Sequence, residues 1–148
     1  MRRLLLGVPL LALVTLVVSG CSPAAPANVI ELDIPEMNIA EFRQGGQRID
    51  SITVAAGQEY LFRVTNAKYD HNFFIGKADD LAARQYDRLV GIPLWSSGTK
   101  EVRHTFKAGD QLQFACTLSG HYGTMHGDFV IEPAASAPWT APGPAHRS

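Results

Sequence analysis

The stretch Phe114–Val130, FACTLSGHYGTMHGDFV, decides how the chain is read. Within it Cys116, His121 and Met125 are spaced Cys-x4-His-x3-Met, and Gly120 directly precedes the histidine. Side chains alternate faces along a strand, so Leu112, Phe114 and Cys116 share one face. The first two are strongly apolar, which places Cys116 inward at a strand end. Met125, Phe129 and Ile131 share a face farther on, with Gly127 between them. The intervening loop is expected to return His121 over the same end. Upstream, in Asp70-His71-Asn72-Phe73-Phe74-Ile75, His71 lies on one face with Phe73 and Ile75. It too can sit at the end of an apolar strand face.

Outward from these motifs the chain reads as β. Ile52–Val54 and Tyr60–Thr65 flank the turn residues Ala55-Ala56-Gly57-Gln58, and Tyr60, Phe62 and Val64 alternate with Leu61, Arg63 and Thr65. Val102–Phe106 and Gln111–Cys116 flank Ala108-Gly109-Asp110, a second hairpin signal. The run Asp79–Val90, DDLAARQYDRLV, differs: Leu81, Tyr86, Leu89 and Val90 have helical spacing after an acidic start. A short helix crossing between the sheets is expected there. Short strands, frequent turns and one helical crossover predict an all-β fold, an antiparallel Greek-key β-sandwich. Phe62, Phe73, Phe106, Phe114 and Phe129 would fill it. Ile92-Pro93-Leu94-Trp95 reads as a packed loop, with an exposed docking patch as the alternative.

The ends read differently from the body. Met1-Arg2-Arg3 precedes an almost wholly apolar run from Leu4 to Val18, too short for a comfortable membrane span but suited to an export signal. Val18-Ser19-Gly20-Cys21 resembles the lipobox of bacterial lipoproteins, with Val18 where Leu is more usual. That resemblance implies acylation of Cys21, and anchoring by lipid to the outer face of the cytoplasmic membrane. An ordinary cleaved signal, with Cys21 incidental, is the competing reading. The expected organisation is a signal peptide over 1–20, a lipidated cysteine and Pro/Ala-rich tether over 21–28, one domain over 29–132, and a Pro/Ala-rich tail over 133–148. A formal net charge of −1 and the lack of a Lys/Arg run give no electrostatic basis for binding nucleic acid. Nothing in the pattern calls for an oligomer, so a monomer is expected.

The chain has 2 cysteines. If Cys21 is acylated, Cys116 is left alone in a compartment where exported proteins usually pair their thiols. A metal bond explains an odd thiol; a buried, inert cysteine is the bland alternative. Two imidazoles and a thiolate with a weak thioether suit copper cycling between Cu(I) and Cu(II). His126 keeps a second reading open, because Cys116, His121, His126 and His71 would make a zinc-like set. Strand alternation opposes it, since His126 should point away from the face of Met125. His104, between Val102 and Phe106, reads as structural, and His146 in the tail as solvated.

CTLSGHYGTM resembles the copper loop of the cupredoxins, with the spacing found in azurins, and HNF at 71–73 resembles their first ligand region. The resemblance implies a Greek-key sandwich holding one type 1 copper ion, with His71, Cys116 and His121 equatorial and Met125 axial. It further implies that Asn72 braces the ligand loop through Thr117, and that N–H groups near Phe73 and Leu118 approach the sulfur. Electrons would leave through the exposed edge of His121. Compared with azurins, the His71-to-Cys116 interval is shorter, the disulfide cysteines are missing, and Asp70 stands where azurins carry Gly. The implied activity is single-electron carriage between redox partner proteins outside the cytoplasm; an enzyme of the multicopper or nitrite-reducing kind would need further copper sites, for which the histidines are too few. Copper storage, resistance or delivery is the alternative; the single ligand set, with no Met- or His-rich tract, favours the carrier.

Overall fold

The computed structural model describes residues 28–36 and 40–134. The signal segment, Cys21, the tether up to Ala27 and the tail beyond Ala134, His146 included, lie outside the described residues; Asn28, read as the end of the tether, begins the first strand.

Two five-stranded sheets face each other. The first has the order β3 (Gln47–Arg48), β2 (Arg43–Gln44), β1 (Asn28–Ile34), β5 (Glu59–Asn66), β8 (Gly98–Thr105). The second has the order β4 (Ser51–Ala55), β10 (His126–Glu132), β9 (Gln113–Ala115), β6 (His71–Gly76), β7 (Val90–Trp95). The alternation in β1 buries Ile30, Leu32 and Ile34, and that in β4 buries Ile52 and Val54, as half-buried strands require. Between the sheets lies a contiguous aromatic cluster in which Phe42, Phe62, Phe73, Phe106, Phe114 and Phe129 are joined by ring contacts of 4.6–6.2 Å. These rings account for much of the apolar area that holds the sandwich together.

The sandwich predicted from sequence is therefore present, with differences in its wiring. Most ladders are antiparallel, but β1 pairs with β5, and β10 with β4, in parallel. The turn residues 55–58 and 108–110 do not close hairpins. Their flanking strands lie in opposite sheets, so each turn is a corner where the chain crosses the core. The corners are fastened at one end of the sandwich: the Ala56 N–H donates to the Glu132 carbonyl and the Gly57 N–H to the Phe106 carbonyl, each at 2.8 Å. A register exchange across the core buries both apolar faces, which a two-stranded hairpin would leave exposed.

The helical segment also departs from expectation. It forms α1 (Ala78–Ala82) and one 3₁₀ turn, Tyr86–Arg88, and connects β6 to β7 within a single sheet rather than crossing between sheets. Leu81 is buried, but Tyr86 and Val90 are exposed, so the four spaced residues do not form one buried face. The segment lies over the outer side of β6, covering Phe74 and Gly76, while Phe73 and Ile75 face the core, so all six residues are buried. Ile92-Pro93-Leu94-Trp95 belongs to strand β7, not to a loop.

Candidate metal centre

Ladder arithmetic brings the chosen residues together. β6 pairs with β9 in the register Phe74↔Ala115, and β9 with β10 in the register Ala115↔His126. Continued outward by one and two positions, these registers set Cys116 opposite Met125 and Thr117 opposite Asn72. Hydrogen bonds make both juxtapositions real. The Cys116 N–H donates to the Met125 carbonyl at 3.0 Å. The Thr117 N–H donates to Asn72 Oδ1 at 2.7 Å, and Asn72 Nδ2 donates to Thr117 Oγ1 at 3.0 Å.

The loop between Cys116 and Met125 is wound tightly enough to return His121. The His121 N–H donates to the Leu118 carbonyl at 3.0 Å, and the His121 carbonyl accepts from the N–H groups of Thr124 and Met125 at 3.0 and 2.8 Å. Gly120, at φ +82°, takes the left-handed position that this reversal needs immediately before the histidine. On the other side Asn66, itself buried, fixes the approach to β6. Its Nδ2 donates to the Tyr69 and Trp95 carbonyls at 2.8 and 3.0 Å. Tyr69, at φ +71°, then turns the chain into Asp70 and His71.

The outcome is a triangle of donors. Cys116 Sγ lies 3.5 Å from His121 Nδ1 and 3.9 Å from His71 Nδ1, and the three ligand atoms fall within 4.8 Å of one another. Metal bonds of about 2.0 Å to nitrogen and 2.3 Å to sulfur would set N and S roughly 3.5–3.8 Å apart, for tetrahedral through trigonal angles. The donors thus already stand at ligating separation. Cys116 and His71 are buried and His121 is half-buried, so one imidazole edge reaches the surface. Met125 is buried in the core cluster that also contains Cys116. Together His71, Cys116, His121 and Met125 form a candidate type 1 copper site, with the soft and imidazole donors that such an ion takes.

The surroundings set the protonation of these groups in the metal-free protein. Burial pushes the Cys116 thiol up, opposed by the backbone N–H groups of Asn72 and Leu118, which favour the thiolate. The sequence reading put one of these donors near Phe73; it belongs to Asn72, one residue earlier. Burial pushes His71 down, His121 adds to this, and Asp70 opposes it. His71 is therefore neutral and ready to ligate at pH 7.

The remaining histidines of the described chain stand apart from the triangle. His126 turns its Nδ1 to the Tyr122 carbonyl at 2.7 Å and stacks on the Tyr122 ring. The donor atoms within ligating reach of one another belong to His71, Cys116 and His121, without His126, so the four-ligand zinc-like set is not formed among the described residues. His104 packs edge-on against Phe106, and its buried Nε2 has no hydrogen-bond partner among the described residues. Sequence reasoning named Tyr86 for its helical spacing alone and did not place it at the site. Its hydroxyl lies 3.3 Å from Thr117 Oγ1, and its ring packs on Phe74 at 5.2 Å. With Asn72, Phe74, Pro93, Leu94 and Leu118, Tyr86 lines a cleft of about 410 Å³ beside the site.

No protein-family model matches the sequence, and no curated protein matches it. Solved structures do match the fold. Auracyanin A, a "blue" copper protein from the green thermophilic photosynthetic bacterium Chloroflexus aurantiacus, is 24% identical with a TM-score of 0.53, over 70% of this chain and 98% of that one. The azurin Az-iso2 of Methylomonas sp. strain J is 17% identical with a TM-score of 0.54, over 72% and 98%. Rusticyanin of Thiobacillus ferrooxidans is 15% identical with a TM-score of 0.56, over 71% and 78%. The chain has the cupredoxin fold. Two donors of the triangle, His71 and Cys116, sit at adjoining strand ends of one sheet, and the turn after Cys116 supplies His121. The likeness covers the body of the chain at low identity, so it speaks for the architecture, while the site rests on the residues themselves.

Proposed function

We propose that this chain is a type 1 blue-copper protein that carries single electrons between redox proteins outside the cytoplasm, tethered to the membrane by lipid on Cys21. The observation that carries the reading is the His71–Cys116–His121 triangle over buried Met125, closed inside the protein and reaching the surface at His121. Bound copper would supply a one-electron Cu(I)/Cu(II) couple. This chain's own residues do the rest. The Asn72–Thr117 pair and the Cys116–Met125 bond hold the donors in one arrangement for both oxidation states, which keeps reorganisation small. Two N–H groups temper the charge on the sulfur. Burial excludes water from three of the four ligands, and the half-buried His121 gives an electron a short way out.

A carrier needs one centre, and the described residues supply one such cluster. The export and lipid readings support a location outside the cytoplasm, where an unpaired thiol needs the protection a metal gives. Partners are expected to be redox proteins at or near the same membrane, met by a monomer.

The test is the visible and electron paramagnetic resonance spectra of the chain beginning at Ser22 and loaded with Cu(II). Intense blue or green absorption with narrow copper hyperfine splitting supports the reading; weak absorption or preference for zinc overturns it. A slow electron self-exchange rate, with ready transfer of copper to a chelator, would instead support storage or delivery. Labelled palmitate should enter the full chain, and Cys21→Ala should abolish this and release the protein from membranes. Unlabelled protein in the soluble fraction would end the tether.

A further inference from the structure

We infer that Tyr86 is a positioning residue for the copper centre, its hydroxyl locking the Asn72–Thr117 brace behind the Cys116 ligand. The inference rests on the copper reading above, and it follows from counting hydrogen-bond partners. The Thr117 N–H needs an acceptor and finds Asn72 Oδ1 at 2.7 Å. That fixes the amide of Asn72, so its Nδ2 must donate to Thr117 Oγ1, at 3.0 Å. Thr117 is 1% exposed and has its own hydroxyl proton to place. Among the described residues the remaining partner of Oγ1 is the Tyr86 hydroxyl, at 3.3 Å. Thr117 therefore donates to Tyr86, and the half-exposed Tyr86 passes its own proton to solvent. The distance is long for an O–H···O bond, yet the alternative is a buried hydroxyl proton without an acceptor.

The position of the link gives it leverage. Thr117 follows Cys116, and Asn72 follows His71. The backbone N–H of Asn72 is also one of the two that approach Sγ. A change in the brace alters the geometry of a hydrogen bond to the sulfur and the spacing of two ligands together. Tyr86 belongs to the single 3₁₀ turn of the segment laid over β6, and its ring is seated on Phe74. Tyr86 thus joins the covering segment to β6 through its ring on Phe74, and to Thr117 beyond β9 through its hydroxyl. The ring alone would serve merely to cover β6; the hydroxyl would serve the site.

Tyr86→Phe separates the two roles, because it keeps the ring and removes the hydroxyl. In the metal-free full chain, amide hydrogen exchange at Thr117 should become several-fold faster than in the unaltered protein, with the melting temperature little changed. In the copper-loaded protein, the thiolate-to-copper absorption and the reduction potential should both shift. In a Thr117→Val background, Tyr86→Phe should have no further effect on either spectrum or potential. Unchanged exchange and unchanged spectra in Tyr86→Phe, or an equal effect in both backgrounds, would overturn the inference. If the unaltered protein shows no thiolate absorption with copper, the copper reading fails on its own, and exchange at Thr117 still decides whether the hydroxyl locks the brace.

Discussion

The backbone N–H of Cys116 donates to the carbonyl oxygen of Met125 at 3.0 Å, so the two sulfur-bearing residues face each other one position beyond the β9–β10 ladder. Residues directly opposite in an antiparallel ladder present their side chains on the same face. The thiol and the thioether are thereby aimed into one space by backbone geometry, before any metal contributes. His121 is the residue that the turn between them must bring back.

Cys116→Ser should abolish the intense visible absorption of the copper-loaded protein completely while leaving a folded domain. The oxygen cannot replace the sulfur as charge-transfer partner, but it is of similar size and lies beside the N–H groups of Asn72 and Leu118. The stability cost should be about 1–2 kcal/mol, read from chemical denaturation of the metal-free protein. Retained blue colour would remove Cys116 from the ligand set.

Met125→Leu nearly conserves volume in a buried position and should cost less than about 1.5 kcal/mol. Copper should stay bound with the reduction potential raised, because the weak axial donor that favours Cu(II) is gone. His126→Ala should leave copper in place, since His126 stands outside the cluster of donors within ligating reach. Copper lost from His126→Ala but kept in Met125→Ala would show that the ligands are assigned wrongly.

Copper binding should release protons with a defined sign. In the metal-free protein burial holds the Cys116 thiol above the usual cysteine range, so it is protonated at pH 7. Only the thiolate ligates, and each ion bound near neutrality should therefore release about one proton. Affinity should fall about tenfold per pH unit as the pH drops through this range. His71, lowered by burial, stays neutral until the pH is well below the ordinary histidine value, and proton competition from it steepens the loss only there. Calorimetry in buffers of different ionisation enthalpy measures the count; a count of zero at pH 7 would contradict the raised thiol.

His71, Cys116 and Met125 were legible in sequence because they lie at or next to strand ends, where alternation of faces predicts which side chains point inward, and His121 because the short loop between Cys116 and Met125 must return it. Strand partnership was not legible. Ala55–Gln58 and Ala108–Asp110 look like hairpin turns locally, but which sheet receives the next strand depends on where its apolar face is buried, a long-range matter. The parallel pairing of β1 with β5 has the same origin. The Gly45-Gly46 turn that closes β2 and β3 carried a short-range hairpin signal that went unused. Tyr86 escaped for another reason. Its helical spacing with Leu81 suggested a shared buried face, whereas a break after Ala82 turns it toward Phe74 and Thr117 instead.

Gly127 lies between Met125 and Phe129 on the inward face of β10, paired with Phe114 of β9. A Cβ at this position would press into the Phe114 ring and lie 2.6 Å from the Asp50 carbonyl oxygen. The ring is held in turn by Phe42, Phe73 and Phe129, and the carbonyl accepts from the Asp128 N–H, so neither neighbour yields easily. Gly127→Ala should therefore destabilise the metal-free protein by about 1–3 kcal/mol, as overpacking does. Because Phe114 sits two residues before Cys116 on the same face, the displaced ring should also disturb the thiolate absorption of the copper form. Gly123→Ala, in a loop position with open space around its Cβ, is the control and should change neither. A Gly127→Ala protein as stable as the parent, with an unaltered spectrum, would show that β10 can slide without moving the site, and that the ladder does not hold the ligands as firmly as its hydrogen bonds indicate.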